Sequence, residues 1–408
     1  MKNYNCDFLI AGGGMVGLAI ASQLINRKIS RNIVIIDKEI KLGMHSSGRN
    51  SGVLHAGIYY EPDSLKAKVC ISGAKRLKEW IKNRGLSINN CGKLIIPQKL
   101  SLDSQLDILY ERGIKNGAKV ELIDSREIAK IAPYANITSG RGLWSPNTSV
   151  VNPLEIINEL KKEIQNKDVK ILYSLKNIIP NEKLDCVEVD RKIKIKYGHF
   201  INATGLQADK IAKNFNVGLD YKIIPFKGIY WKLRDNCPIN VNLNLYPVPD
   251  LNIPFLGVHF TPNCLNNLVN IGPTAIPAFG RENYRFFENV EPQNAIFDIS
   301  FLAKQYLNDE DGFRKYVNEQ AFLGFPFLFL KSAQELIPNL KFNHLEPSNK
   351  VGIRAQLFNL KTKKIVKDFL CLNGVNSTHI LSAISPAFTG SFAFADLIID
   401  NYLFQNKK

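Results

Sequence analysis

The sequence predicts an α/β protein, α+β overall. A discontinuous Rossmann-like nucleotide-binding domain should carry an inserted, mostly antiparallel β-sheet domain. Three observations predict this. Asn5 to Asp37 reads strand, glycine turn, helix, strand, acid. A second short apolar strand ends in Ala203-Thr204-Gly205 near the middle of the chain. Tyr221 to Gly272 is strand-like, with repeated proline and alternating apolar residues.

In the first unit, Phe8-Leu9-Ile10-Ala11 is a short apolar run that reads as a buried strand. Gly12, Gly14 and Gly17 follow in G-x-G-x-x-G spacing. Gly12 allows a tight turn, Gly14 lets a pyrophosphate approach the backbone, and Gly17 lets helix and strand pack closely. Met15 and Val16 open an apolar helical pattern continued by Leu18, Ala19, Ile20, Leu24 and Ile25. The N-terminus of that helix presents free N–H groups and partial positive charge to phosphates. Ile33 to Ile36 is a second strand ending in Asp37, followed by Lys38. Asp37 lies about 20 residues beyond Gly17, where a carboxylate accepts ribose hydroxyl hydrogen bonds.

The 408 residues are 45% hydrophobic and 22% charged, ordinary globular values that leave ample core for two or three domains. No leader is expected, because the first apolar run belongs to the nucleotide fold. No run reaches the roughly 18 apolar residues of a spanning helix. The longest, Ala321 to Leu330, holds Pro326 and reads as a buried strand or helix start. The seven cysteines are scattered, without C-x-x-C, which fits a reduced, cytoplasmic chain without a zinc site or disulfide framework. The net charge of +16 is dispersed lysine without interleaved aromatics, so nucleic-acid binding is not expected. That charge and the run near Phe325 leave room for a peripheral contact with an anionic membrane surface.

After Asp37 the chain enters a loop rich in Gly, Ser, His and Tyr, suited to close backbone approach to a ligand. Helices are expected at Leu65 to Arg84, Leu102 to Asn116, Ser125 to Ile131, and from Pro153 to Gln165. A further helix is expected at Lys331 to Ile337, stopped by Pro338, and a long one from about Thr389. The small residues of Ala203-Thr204-Gly205 would let a cofactor pass over the sheet.

Motifs across nearly the whole chain resemble the FAD-dependent oxidoreductases of the D-amino-acid-oxidase superfamily, and within them the L-2-hydroxyglutarate oxidase/dehydrogenase family. They are Gly12 to Gly17, HSSGRNSGVLHAGIYY (His45 to Tyr60), SLKAKVC (Ser64 to Cys70) and CGKLII (Cys91 to Ile96). NATGLQAD (Asn202 to Asp209), FKGIYW (Phe226 to Trp231) and LYPVPDLNIPFLGVHFT (Leu245 to Thr261) continue the series. VGIRAQL (Val351 to Leu357) and HILSAISPAFTGSFAFADLI (His379 to Ile398) complete it. Asp37 stands where many such flavoproteins have Glu, Asp63 where the family commonly has Gly, and SPAFTGSFAFAD is a variant of a more Ala-rich stretch.

The resemblance implies FAD, held without a covalent bond, and oxidation of an L-2-hydroxy acid to a 2-oxo acid. The electron acceptor (oxygen, a quinone or an electron-transfer protein) is left open. FAD would lie against Gly12, Gly14, Met15, Val16, Gly17, Asp37 and Lys38, and against His45, Ser46, Ser47, Arg49, Asn50, Ser51 and Gly52. Ala203, Thr204, Gly205, Phe388, Thr389 and Gly390 complete that set, the last three opening a helix whose N–H groups would face the reduced flavin. His55 or His259 is the candidate base, since imidazole takes a proton near neutral pH. Arg354 is the candidate carboxylate clamp and Tyr60 a hydroxyl donor. Lys66 and Lys227 are candidates for a second carboxylate. His199, His344 and His379 read as structural. No metal is expected.

The expected division is 1–85, 149–215 and 346–408 for the nucleotide domain and 86–148 and 216–345 for the substrate domain. An amino-acid or amine oxidase of the same superfamily is the alternative, and a flavin-binding assembly protein a more distant one.

Overall fold

The computed structural model describes residues 1–403 apart from 250, 252–255, 267 and 286–287. The eight-stranded sheet of the first domain is built on Lys2–Ala11. Ile33–Ile36 and then Lys170–Leu172 lie to one side of it and Ile193–Asn202 to the other, all parallel. Ser377–Ser382 joins Ile193–Asn202 in parallel, and Cys186–Val189, Ile178–Pro180 and Leu370–Gly374 extend the edges antiparallel. These strands converge from distant parts of the chain because their apolar runs are buried on both faces. One face is covered by Met15–Asn26, Leu65–Asn83, Pro153–Gln165 and Ser391–Ile398, which share a core with Ile10, Ile35 and Ile201. Leu9, Val34 and Phe200 on the other face pack with Ala208 and Phe215.

The second sheet has ten strands. Its spine is the antiparallel pair Tyr221–Leu233 and Leu345–Asn359. Val269–Gly272, His259–Pro262, Asn244–Pro247, Lys93–Ile96, Arg141–Ser145 and Glu121–Asp124 follow outward. Pairing is antiparallel except between Asn244–Pro247 and Lys93–Ile96. Alternation along these strands sends Leu94, Leu245, Phe260 and Ile271 to one face, where Phe329, Leu330 and Ala333 cover them. The opposite face turns toward the nucleotide domain.

Several elements differ from their expected bounds. Pairing of Leu345–Asn359 with Tyr221–Leu233 puts that strand in the second sheet, so a nucleotide-domain segment beginning at 346 would divide it from its partner. The helix near Pro338 begins earlier, at Pro326, and ends at Gln334; the proline that matters is the one at its first position. Within the apolar run Phe329 and Leu330 are buried while Phe325 and Phe327 are exposed. The last helix begins at Ser391, not Thr389. The helix at Ser125–Ile131 carries the Asp124 cap, completed by Glu127 as a capping box.

A buried ion pair links the helix Ala208–Asn214 to the connection that follows Ile276–Pro277. Arg281, 3% exposed, forks onto Asp209, 1% exposed, with Nη2–Oδ2 at 2.8 Å, and donates to Leu206 O. Asp209 also accepts the Ile223 amide at 3.0 Å. Burial opposes ionisation of Asp209, but Arg281 holds its carboxyl below the usual range. No helix among the described residues is long and apolar enough to cross a membrane.

Candidate active site

The glycine turn meets the Ala203-Thr204-Gly205 turn directly. Gly12 has φ +101°, and a Cβ there would stand 2.4 Å from Ala203 O. A Cβ at Gly17 would stand 2.1 Å from Gly12 O, so the helix lies hard on the turn. Its first intrahelical hydrogen bond runs from Leu18 N to Gly14 O, which leaves the preceding amides facing outward. The Met15 amide among them donates to Ser47 Oγ at 2.9 Å.

Two cavities meet at this turn. One, of about 120 Å³, is lined by Gly12, Gly14, Asp37, Lys38, His45, Ser46, Ser47, Ala203, Thr204 and Gly205. The other, of about 340 Å³, is lined by Gly14, Met15, Val16, Ser46, Ser47, Arg49, Asn50, Ser51, Ala203, Gly205, Phe388 and Thr389, and by His55, His259 and Arg354. Gly14, Ser46, Ser47, Ala203 and Gly205 line both, so the two form one trench over the turn. Asp37 accepts the Gly13 and Glu39 amides at 2.8 and 2.9 Å, which aims its carboxylate across the glycine turn.

These residues fit a dinucleotide with a second ring system. An acid stands at one end, helix amides in the middle and a broader cavity at the other, and any side chain at Gly12 would collide with Ala203. Gly17, Gly52 and Gly390 do not line the trench. Gly52 presses on Val151, whose amide it accepts at 2.9 Å; Gly390 packs against Gly73 and Val69 of the neighbouring helix. Their smallness serves packing. Lys38 and His45 face the cavity but are engaged with acids: Lys38 pairs with Glu39 and, at 2.8 Å, with Glu282, while His45 Nε2 meets Glu39 at 2.9 Å. Glu39, His45 and Glu282 come together as metal ligands could, yet Lys38 Nζ already stands among them.

The cavity's far wall is the inward face of the second sheet. Register and alternation put Lys93, Tyr246, His259, Tyr230, Gly228, Gly352 and Arg354 on that face. Gly228 and Gly352 are directly paired, and each lets a neighbour approach closely: a Cβ at Gly228 would stand 2.8 Å from Pro273 Cβ, and one at Gly352 2.9 Å from Arg49 O. His259 is buried and stacks on Tyr246 with centroids 3.9 Å apart. Its Nδ1 meets Gly257 O at 2.9 Å, so Nδ1 carries the proton and Nε2 the lone pair. Burial, with Lys93 and Lys350 acting in the same direction, pushes its pKa down to about 3.

His55 comes from the nucleotide domain. Its Nε2 meets Ser385 Oγ at 3.2 Å and its amide donates to Thr389 Oγ1. Burial, then Lys93 and His259, hold it well below the ordinary histidine range. Both imidazoles are therefore neutral proton acceptors at pH 7. Burial pushes the Tyr60 phenol up, while the nearby Ser385 and Arg354 work the other way. Tyr60 does not line the cavity. Ser385, Tyr246 and Lys93 were absent from the sequence-based set. A lysine at the head of the apolar strand Lys93–Ile96 was the visible clue.

The two lysines expected at the second carboxylate point elsewhere. Lys227 is buried on the face opposite Phe226 and Gly228, where Nζ donates to Asn283 Oδ1 at 2.7 Å. Lys66 Nζ contacts Lys367 O, and neither lysine lines the cavity. His199 and His379 are held by Thr378 and Ser377 within the first sheet, and His344 caps a short turn. The centre of the proline-rich stretch, 250 and 252–255, lies outside the described residues.

A family model described as FAD dependent oxidoreductase matches residues 7–400. The chain is 34% identical to L-2-hydroxyglutarate dehydrogenase, mitochondrial, from Caenorhabditis briggsae, covering 96% of this chain and 92% of that protein. It is 34% identical to the Homo sapiens protein of the same name, over 97% and 88%. Against L-2-hydroxyglutarate dehydrogenase of Escherichia coli (strain K12) the identity is 30%, over 96% and 92%. In fold it is similar to L-alpha-glycerophosphate oxidase from Mycoplasma pneumoniae with FAD bound, at a TM-score of 0.73 and 22% identity over 96% and 93%. Glycine oxidase from Geobacillus kaustophilus gives 0.70 at 15% identity over 97% and 94%.

Proposed function

The chain belongs to the FAD dependent oxidoreductase family, among the L-2-hydroxyglutarate dehydrogenases, and from that premise we propose that it oxidises L-2-hydroxyglutarate to 2-oxoglutarate. The observation that carries the reading is the meeting of Arg354 and two neutral histidines at the broad end of the nucleotide trench. Oxidation removes a proton from the substrate hydroxyl and a hydride from the carbon that bears it. FAD, when bound, supplies the two-electron acceptor. Asp37, Gly14, the Met15 amide, Ser46, Ser47, Ala203 and Gly205 would hold it.

The chain's own residues handle the proton and the carboxylate. Arg354 presents a planar guanidinium that binds a carboxylate through paired hydrogen bonds. That anchors the substrate with its hydroxyl toward the histidines. His259 Nε2, left bare by the Nδ1 contact with Gly257 O, takes the hydroxyl proton. The incoming anion offsets the surrounding positive charge and raises the basicity of that imidazole. His55, held by Ser385, orients the hydroxyl from the opposite wall. The apolar side chains of Phe226, Ile384 and Phe388 limit water at the reacting carbon. The seven free cysteines suit work in a reducing compartment, the cytoplasm among them.

Anaerobic bleaching of the flavin absorbance tests the reading. L-2-hydroxyglutarate should bleach it; the D-isomer, L-lactate, glycerol 3-phosphate and amino acids should not. Bleaching by an amino acid alone would replace this reading with amino-acid oxidation and assign Arg354 to that carboxylate.

A further inference from the structure

Lys93 is the most deeply buried lysine on the site-facing wall, at 1% exposure. No carboxylate among the described residues pairs with it. Its Nζ lies 4.2 Å from the centroid of Tyr246 and 5.1 Å from that of Tyr59. An ammonium buried without an acid is costly, and two aromatic faces recover only part of that cost. The strand offers an apolar environment, Leu94, Ile95 and Ile96, in which an uncharged side chain would be the unforced choice. Something must make a cation worth keeping there.

The surroundings indicate what. The cavity lining contains Arg354 and Arg49 and no Asp or Glu. Lys350, on the strand that also carries Arg354, stands 5.3 Å from the Tyr230 ring centroid. The wall is therefore cationic at both ends, with Arg354 on the strand Leu345–Asn359 and Lys93 across the sheet on Lys93–Ile96, and His259 on a strand between them. Lys93 does not itself line the cavity; it lies behind Tyr246, which does, on the same face of the sheet and with Nζ over the Tyr246 ring, whereas Lys227 lies on the opposite face. A positive charge acting across an aromatic ring in a water-poor site is felt strongly by a second anion.

We propose that Lys93 is a specificity-determining residue: its ammonium, acting at the Tyr246 wall, selects substrates that carry a second carboxylate, so that the site takes dicarboxylic 2-hydroxy acids in preference to monocarboxylic ones. This rests on the 2-hydroxy-acid reading above and replaces Lys66 and Lys227 in the role of second cation. Arg354 takes the carboxylate beside the reacting carbon, and the distal carboxylate completes the charge balance that the protein leaves open at Lys93. Burial lowers the Lys93 pKa to about 7, and an incoming carboxylate would favour the charged form.

The test uses the full-length, FAD-loaded protein and two ligands that cannot be oxidised, glutarate and pentanoate. They share chain length and differ by one carboxylate, and the flavin absorbance change on titration gives each Kd. Wild type should prefer glutarate. Lys93→Met should weaken glutarate about 10- to 100-fold, the range for a lost hydrogen bond or contact to a charged group. It should leave pentanoate nearly unchanged, and Lys93→Arg should restore most of the preference. Equal loss for both ligands, no change for either, or failure of Lys93→Arg to recover would overturn the proposal. If Lys93→Met does not hold FAD, Lys93→Gln and the wild-type ratio still decide: wild type binding pentanoate as tightly as glutarate ends the idea. A glutarate preference with no bleaching by L-2-hydroxyglutarate would instead remove the oxidation reading and leave Lys93 standing.

Discussion

The trench over the glycine turn and the wall opposite it solve different problems. The trench is made of absence: Gly12, Gly14 and Ala203 keep side chains out so that backbone amides reach the ligand. The wall is made of burdens: Lys93, His259, Tyr246 and Arg354 bring charge and polarity into an enclosed face. Changes in the trench should act on whether cofactor binds at all. Changes in the wall should act on which substrate is used and how fast, with the cofactor retained. The difference teaches that one cavity can separate affinity for cofactor from chemistry because the two halves come from different sheets.

Four further experiments would break or sharpen that division. Gly12→Val should have the largest effect. A branched side chain cannot adopt φ +101° without strain and would strike Ala203 O, so the purified protein should be colourless and take up no FAD on reconstitution. A yellow variant would place the cofactor elsewhere. His259→Ala should lower kcat by about 10² to 10⁴ with flavin content unchanged, the usual reach of a lost general base. If His55→Ala falls that far and His259→Ala does not, the roles of the two imidazoles exchange.

Arg354→Ala should raise KM about 10- to 100-fold by loss of the charge-assisted carboxylate contact, again with FAD bound. Unchanged kinetics would make Arg354 part of the scaffold. Acidification should have the smallest effect of the four and should act on stability. His199 is held down to about 4, and His259 and His379 to about 3, in each case by burial first, against an ordinary value near 6.5. The unfolded chain therefore binds more protons than the folded one between about pH 6.5 and pH 3. Stability is complete above the unfolded value and falls as pH drops through that window. His379→Asn should flatten the fall in thermal midpoint below pH 6.5; an unchanged slope would mean other groups carry it.

Much of the trench was legible in the sequence because its demands are local. A tight turn, a close helix and an acid follow one another within Gly12 to Asp37, and their spacing survives any tertiary context. Ala203-Thr204-Gly205 was legible for the same reason. Gly52 was read with the rest of its loop and Gly390 with the opening of the last helix; the close packing of Gly52 on Val151 and of Gly390 on the helix bearing Val69 and Gly73 is visible only in the structure.

The wall was legible only in pieces. Arg354 and His259 stood out as polar residues in strand-like stretches, but period-two alternation within one strand does not say which face meets the cofactor. Lys227 shows the consequence. It is adjacent in sequence to Phe226 and Gly228, which face the cavity, and so it faces away, toward Asn283. Lys93, Tyr246, His259 and Arg354 share one face only through the series of pairings that runs from Lys93–Ile96 through Asn244–Pro247, His259–Pro262, Val269–Gly272 and Tyr221–Leu233 to Leu345–Asn359.

The sequence by itself determined the nucleotide cradle, the neutral-to-basic character of the candidate catalytic groups and the family to which the chain belongs. Only the tertiary structure decided which strands share a sheet, which cations reach the cavity and which histidine nitrogen is bare. Turn and helix chemistry is set by residues a few positions apart, whereas a sheet face is set by long-range register, and charge in a buried wall has meaning only once its neighbours are in place.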